Sequence, residues 1–345
     1  MCYTCQGALA LIVGTRGWDY RNRSPRCWLG CSARRSFAVA VSRPAVARSL
    51  STFVCTWLAL IGCSACQGTD PDKVFSRQGC EVAPGGPGGP ITDPSGPYYH
   101  QVVVADAPDG VTLSRARQVL DHASVPDGAR RVDGSVLVYY VNGAEGFVWV
   151  ARLSGDSAVP LGPIALDGVP RPAGVVDPDV TTLPGGRLRL AYLSGFGPPS
   201  DSRVHTMCLA ESEDGISFTV LGAALRFEVG VTATDPSLTQ LADGSWLMAV
   251  SWGQRSIMAR SNNGLTFTRY DTLWVGGVPE LATLPDGRIR LYVCAQGIVS
   301  FLSSDRGTTW QPEKTVVAPG TGGKKIVCDP SSVAAAGLFL YKTAD

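Results

Sequence analysis

One ten-residue frame recurs along this chain, and it constrains the fold more than any other feature. Val125-Pro-Asp-Gly-Ala-Arg-Arg-Val-Asp-Gly134, Asp177-Pro-Asp-Val-Thr-Thr-Leu-Pro-Gly-Gly186, Asp235-Pro-Ser-Leu-Thr-Gln-Leu-Ala-Asp-Gly244 and Val278-Pro-Glu-Leu-Ala-Thr-Leu-Pro-Asp-Gly287 superimpose without gaps. Each sets Pro eight residues before its last Gly, and the last glycines are 43 to 58 residues apart. A fifth copy, Asp329-Pro330 to Gly337-Leu-Phe-Leu-Tyr341, is one residue shorter. A period of this length marks stacked or radially arranged supersecondary units. An apolar run follows each turn: Ser135–Val141, Arg187–Leu193, Ser245–Ser251 and Arg288–Cys294. Short apolar runs between Gly, Pro and Asp clusters read as strands and tight turns.

A second motif falls between the copies. Ser303-Ser-Asp-Arg-Gly-Thr-Thr-Trp310 has the full Asp-box pattern; Ser212–Phe218, Ser261–Phe267 and Pro108–Leu113 are looser versions. Its Asp or Asn bonds the turn backbone, its Gly accepts positive φ, and its aromatic packs between sheets. The expectation is an all-β, five-bladed β-propeller over 98–345 with four-stranded antiparallel blades. The fifth copy ends after its second strand, so Tyr99–Ala105 and Val111–Val119 are expected to complete the C-terminal blade and close the ring.

Ahead of the repeats, residues 46–63 read as a lipoprotein signal. Arg43 and Arg48 precede a short apolar core, and Leu60-Ile61-Gly62-Cys63 resembles a bacterial lipobox with Cys63 as the lipidated residue. The chain is thus expected to be exported and lipid-anchored to the bacterial envelope, at the periplasmic face, the outer membrane or the cell surface. Residues 1–45 read as an upstream extension from a start codon set too early, or as disordered. Residues 64–97, with Pro84-Gly-Gly-Pro-Gly-Gly-Pro90, read as a flexible tether. An oxidising compartment permits a Cys294–Cys328 disulfide, which would leave Cys208 a buried single thiol.

The net charge is +1 with no basic block, which disfavours a nucleic-acid partner. The histidines have no metal-ligand spacing, and no Walker, dinucleotide or G-x-S-x-G motif occurs, so no cofactor or metal is expected. A monomer is expected.

In a propeller the innermost strands line the channel, so the repeat frame names the residues at its mouth. One position holds Asp127, Asp179, Ser237, Glu280 and Ser331; two residues earlier stand Val125, Asp177, Asp235, Val278 and Asp329. Crowded carboxylates raise one another's pKa, which sets an ionised base beside a protonated acid, as glycoside hydrolysis requires. The alternative is that Asp-Pro only fixes a turn. Tyr139, Tyr140, Trp149, Tyr192, Trp252 and Tyr292 are candidate sugar platforms or inter-blade packing residues.

Asp at successive strand starts on a five-bladed frame resembles the arabinanase and β-xylosidase type of glycosidase. That resemblance implies Asp127 as general base, Asp179 as the carboxylate that tunes it, and Glu280 as general acid, although the Glu comes one blade later than in the family. Asp177 and Asp235 are the reserves, and His122, Arg171, Trp252 and Asp329 are expected to touch substrate. The expected function is an envelope-anchored glycoside hydrolase-like propeller acting on poly- or oligosaccharide. The alternative is a non-catalytic propeller lipoprotein that binds glycan or protein. A third reading is a sialidase-like hydrolase, implied by the Asp boxes, although no arginine triad can be assembled.

Overall fold

The apolar runs after each repeat turn are continuous rather than alternating, as in Val136–Val141 and Leu188–Leu193, apart from Arg189. A strand reads this way when both of its faces are covered. The computed structural model, which describes residues 76–86, 88, 91–196 and 204–345, shows why. Five radial sheets stand face to face, and these strands lie second from the axis, buried between neighbouring blades.

In chain order, β1 (His100–Asp106) and β2 (Ser114–Asp121) come first. Blade 1 is β3 (Ala123–Arg130), β4 (Val136–Asn142), β5 (Val148–Ser154) and β6 (Ser157–Pro163). Two short strands, β7 (Ala165–Leu166) and β8 (Val169–Pro170), widen blade 2, which is β9 (Val175–Thr182), β10 (Leu188–Ser194), β11 (Thr206–Ser212) and β12 (Ser217–Arg226). Blade 3 is β13 (Thr234–Gln240), β14 (Trp246–Ser251), β15 (Ser256–Ser261) and β16 (Thr268–Leu273). Blade 4 is β17 (Gly277–Thr283), β18 (Ile289–Cys294), β19 (Ile298–Ser303) and β20 (Gln311–Val317). Blade 5 takes β21 (Ile326–Val333) and β22 (Leu338–Ala344) from the C-terminus and β1 and β2 from the N-terminal side, in the order β2-β1-β22-β21. The ring is closed by strand pairing, with His100 opposite Ala344 and Asp106 opposite Leu338.

Outermost strands are polar, as in β2 and β20, because one edge faces water. At four seams a side chain reaches across to a carbonyl in the next blade's turn: Tyr139 to Gly215, Arg189 to Gly264, Tyr270 to Gly307 and Tyr292 to Gly110, at 2.7 to 3.0 Å. Those turns are held as their sequence requires. Asp305 accepts the N–H groups of Thr308 and Thr309, and the Ser303 hydroxyl accepts from Gly307 and donates to Asp305. Tyr139, Tyr140, Tyr192 and Tyr292 are buried and Trp149 is half-buried against the core between blades, so Trp252 is the most exposed of the six aromatic candidates.

Two expectations are corrected here. The tether predicted over 64–97 is, in its described part, laid along the propeller. Ser76 accepts the Ala223 N–H, Arg77 pairs with Asp167 at 2.5 Å, and Ala83 and Gly85 bond to Ala173 and Arg171. Cys208 is not a single thiol: it is joined to Cys80. Gly and Pro gave the segment no core of its own, but a covalent tie and a row of backbone bonds hold it to blade 2 and to the stretch between β8 and β9. Cys294 and Cys328 form the second disulfide, with Cα atoms 5.3 Å apart. Residues 1–63, including the Cys63 lipobox, lie outside the described residues.

Candidate functional site

The site follows from one backbone irregularity repeated five times. Val125, Asp177, Asp235, Val278 and Asp329, each directly before a Pro, have φ of 47° to 53°. A residue before Pro favours extended backbone, and a β-branched Val with positive φ is an outlier in any context. In every inner strand a register shift falls at this point, so each carries a bulge. Bulges re-aim side chains, and these five stack two tiers of residues at one mouth of the channel. The small cavity there, about 20 Å³, is lined by Val125, Asp127, Asp177, Asp179, Asp235, Val278, Glu280, Asp329 and the prolines.

The inner tier is a closed belt. Asp127 accepts the N–H of Val180; Asp179 accepts that of Leu238 at 3.0 Å; Ser237 accepts that of Leu281 at 2.9 Å; Glu280 accepts that of Ser332 at 2.9 Å; and Ser331 accepts that of Gly128 at 3.1 Å. Each blade thus holds the backbone of the next, and the fifth holds the first. The hydroxyls of Ser237 and Ser331 also donate to Glu280 (2.9 Å) and Asp127 (2.5 Å). One oxygen each from Asp127, Asp179 and Glu280 lies within 4.8 Å of the other two. Burial raises all three pKa values, Asp127 to about 6 and the other two well above the ordinary range. The charge of Asp127 adds to the rise at both.

In the outer tier Asp177 and Asp329 are buried like the belt, and Asp235 is the more open carboxyl. Asp235 is half-buried and accepts the Thr234 hydroxyl at 2.5 Å, while Asp177 accepts the backbone N–H of Asp235 at 3.2 Å. Burial raises Asp235 to about 6, with the Asp329 charge adding to it. Burial and the Asp235 charge drive Asp177 well above the carboxylate range. Lys342, from β22, reaches in and pairs with Asp329 at 2.7 Å. Burial works against its charge, but Asp329, Asp235 and Asp177 more than offset it and hold the ammonium protonated.

The structure therefore brings six of the predicted residues together: Asp127, Asp177, Asp179, Asp235, Glu280 and Asp329. It places two others elsewhere. His122 stacks on Tyr98, ring centroids 3.8 Å apart, and bonds the Tyr98 carbonyl at 2.5 Å. Arg171 is paired with Glu145 at 3.0 Å, beside the docked segment. Trp252, directly after β14, is exposed and does not line the mouth cavity. Lys342 was missed, because it lies outside the repeat frame; a lone cation inside the buried run Leu338-Phe-Leu-Tyr-Lys-Thr-Ala344 was the available signal.

The buried carboxyls predict an unusual pH dependence. A raised carboxyl pKa means that the folded state binds its proton more tightly than the unfolded chain. The stability linked to it is complete below about pH 4 and is lost as the pH rises through about 6. Asp109 and Asp305 act in the opposite sense. Turn hydrogen bonds, from Thr112 and Thr309 first, lower both to about 2, so their contribution fades as the pH falls below about 4. Melting temperature should therefore peak near about pH 4 to 5 and fall towards pH 8. A Tm that climbs steadily from pH 5 to 8 would contradict the buried-carboxyl arrangement.

No family model matches the chain, and no curated protein matches it. Among solved structures, a protein of unknown function from Dyadobacter fermentans is similar at 16% identity and TM-score 0.48, over 70% of this chain and 84% of that one. An α-L-arabinofuranosidase from Clostridium thermocellum is similar at 13% identity and TM-score 0.45, over 60% and 77%. An endo-1,4-β-xylanase from Bacteroides thetaiotaomicron is similar at 15% identity and TM-score 0.43, over 61% and 84%.

Proposed function

We propose that this propeller acts on neutral glycans at the channel mouth, as a glycoside hydrolase in which Asp177 and Asp235 are the acid–base pair. The observation that carries this is the outer tier. Two residues from successive blades adjoin at the mouth, Asp177 buried and Asp235 half-buried, joined through the 3.2 Å bond from the Asp235 backbone N–H to the Asp177 carboxyl, and both carboxyls are raised. Asp177, which burial and the Asp235 charge raise well above the carboxylate range, takes the acid's part and gives its proton to a glycosidic oxygen. Asp235, titrating near 6, is largely ionised and takes a proton from the attacking water. Strained backbone at five equivalent mouth positions fits a site whose geometry is fixed at a cost in local conformation. Asp127, Asp179 and Glu280 are assigned to the blade-tying belt and not to substrate.

One observation favours a second reading. The cavity at the mouth is about 20 Å³, close to the room one water needs and far below an ordinary ligand pocket. A sugar must sit on the rim, and a propeller that only binds glycan there needs no deeper entry. We propose further that the chain is exported and anchored through Cys63; the two disulfides support an oxidising compartment.

The test is a panel of arabinan, xylan, mannoside, fructan and sialoside substrates, with the domain freed of its anchor. Release of reducing ends from a neutral member supports hydrolysis. Retention on a neutral-glycan affinity gel without cleavage supports the binding reading. Cleavage of sialoside alone would overturn the assignment to neutral substrates.

A further inference from the structure

Blade 3 carries a surface feature that the mouth chemistry does not use. Trp274 is 71% exposed and Trp252 38% exposed. The Arg255 guanidinium lies between them, 3.5 Å from the Trp274 ring centroid and 4.8 Å from that of Trp252. Exposed indoles forfeit hydrophobic burial and ordinarily fold down on nearby apolar surface. Here the guanidinium wedge holds two rings open. Each ring spends one face on the cation, at an attraction that fixes its orientation, and the face turned away is left for something else.

The feature is tied to the mouth through the strand end that precedes it. Trp252 opens the β14–β15 connection, which the bond from its N–H to the Arg255 carbonyl closes at 2.8 Å. The end of β14 pairs with the start of β13, Ser251 opposite Thr234, so Trp252 leaves the sheet at the end of the blade where β13 enters, one residue past the pair next to the proposed base Asp235. Ser251 Oγ accepts the N–H of Val278, a mouth-lining residue, at 3.0 Å. A Cβ on Gly277 would lie 2.0 Å from the Gly253 carbonyl, so the loop is pressed against β17 at a point where only glycine fits. Trp274 follows β16, whose Leu273 pairs with Ser256, and so lies at the same end of the blade.

The occupant follows from charge and shape. Six carboxyl groups converge at the mouth with one ammonium, itself paired to Asp329, so an anionic glycan finds no free cation there and meets the charge of whichever carboxyls are ionised. Flat aromatic faces flanked by a guanidinium edge, which donates but cannot accept, suit the C–H faces and hydroxyls of uncharged sugar rings. We propose that Trp252, Arg255 and Trp274 form a sugar platform that holds the units of a neutral oligosaccharide next to the linkage at Asp177 and Asp235. This rests on the carbohydrate reading of the mouth, and the experiment separates the two.

The domain is titrated with xylohexaose, arabinohexaose, mannohexaose and, as an anionic probe, a galacturonate hexamer, following tryptophan fluorescence. A neutral hexamer should quench the signal. Trp274→Ala, a substitution at an exposed side chain, should weaken its binding about tenfold or more with Tm unchanged, and Arg255→Ala should weaken it as well. If a neutral hexamer is hydrolysed, Trp274→Ala should raise KM with little change in kcat. Binding that depends on Trp274 without cleavage keeps the platform and sinks the hydrolase. Cleavage with a KM indifferent to Trp274 sinks the platform and keeps the mouth. Absence of binding by every hexamer, or Trp274-dependent preference for galacturonate, overturns the proposal.

Discussion

Asp235→Asn should lower turnover on a cleaved neutral glycan by about 10²- to 10⁴-fold, the usual loss when a general base is removed, with little change in Tm measured at about pH 4 to 5, where the Asp235 carboxyl is largely uncharged. The fold should tolerate it because Asp235 is half-buried and its side chain accepts one hydroxyl, from Thr234; the Asn carbonyl can accept the same bond. Asp127→Asn is the informative contrast. Asp127 accepts both the Val180 N–H and the Ser331 hydroxyl, and an amide has only one oxygen to offer. One partner is left facing N–H donors, at a cost of about 1–3 kcal/mol, so Asp127→Asn should lower Tm and spare most of the turnover. Glu280→Gln, in the same belt, should behave alike. The acid limb of kcat/KM should fall through about pH 6, where Asp235 gains its proton. If Asp127→Asn and Glu280→Gln abolish turnover at unchanged Tm while Asp235→Asn is active, the chemistry belongs to the inner tier.

The blades were legible because their punctuation is local. A Pro and a Gly eight residues apart mark the first strand and its turn, and an Asp or Asn with a nearby Gly marks the later turn. The missing half of blade 5 could be placed because β1 and β2 had no repeat frame of their own. The convergence of Asp127, Asp179 and Glu280 was equally legible, since equal repeat positions become equal positions around the axis. Their role was not. A carboxylate that lines a channel and one that grips the next blade occupy the same frame position. What separates them is the bulge at the residue before Pro, where the backbone enters a region that Pro normally disfavours. The docked segment was hidden for another reason. The partners Cys80 and Cys208 are 128 residues apart, and spacing does not reveal connectivity. Lys342 was hidden because it belongs to a second strand, where the repeat frame predicts only apolar cover.

Deleting residues 98–121 should abolish cooperative melting. β1 is an interior strand of blade 5, paired to β22 on one side and β2 on the other. Val102, Val104 and Ala105 are wholly buried, and they pack into the clusters that join blade 5 to blades 1 and 4. Burying a Val or Leu is worth about 1.5–3 kcal/mol, so losing Val102, Val104 and Leu120 approaches the 5–15 kcal/mol net stability of an ordinary domain. The deletion also opens β22 as a long unpaired edge. A permutant separates loss of the strands from loss of the chain order. Its first residue is His122, and Asp345 is joined through a short Gly-containing turn to Tyr99; Ala344 and His100 are already paired, so a hairpin connection fits. This chain keeps all five blades but lacks the docked segment and the Cys80–Cys208 tie, the loss of which typically costs about 2–5 kcal/mol. It should melt cooperatively at a reduced Tm, while the deletion shows no transition by near-UV circular dichroism. A deletion variant that melts cooperatively within a few degrees of the intact domain would mean that the ring does not depend on this closure.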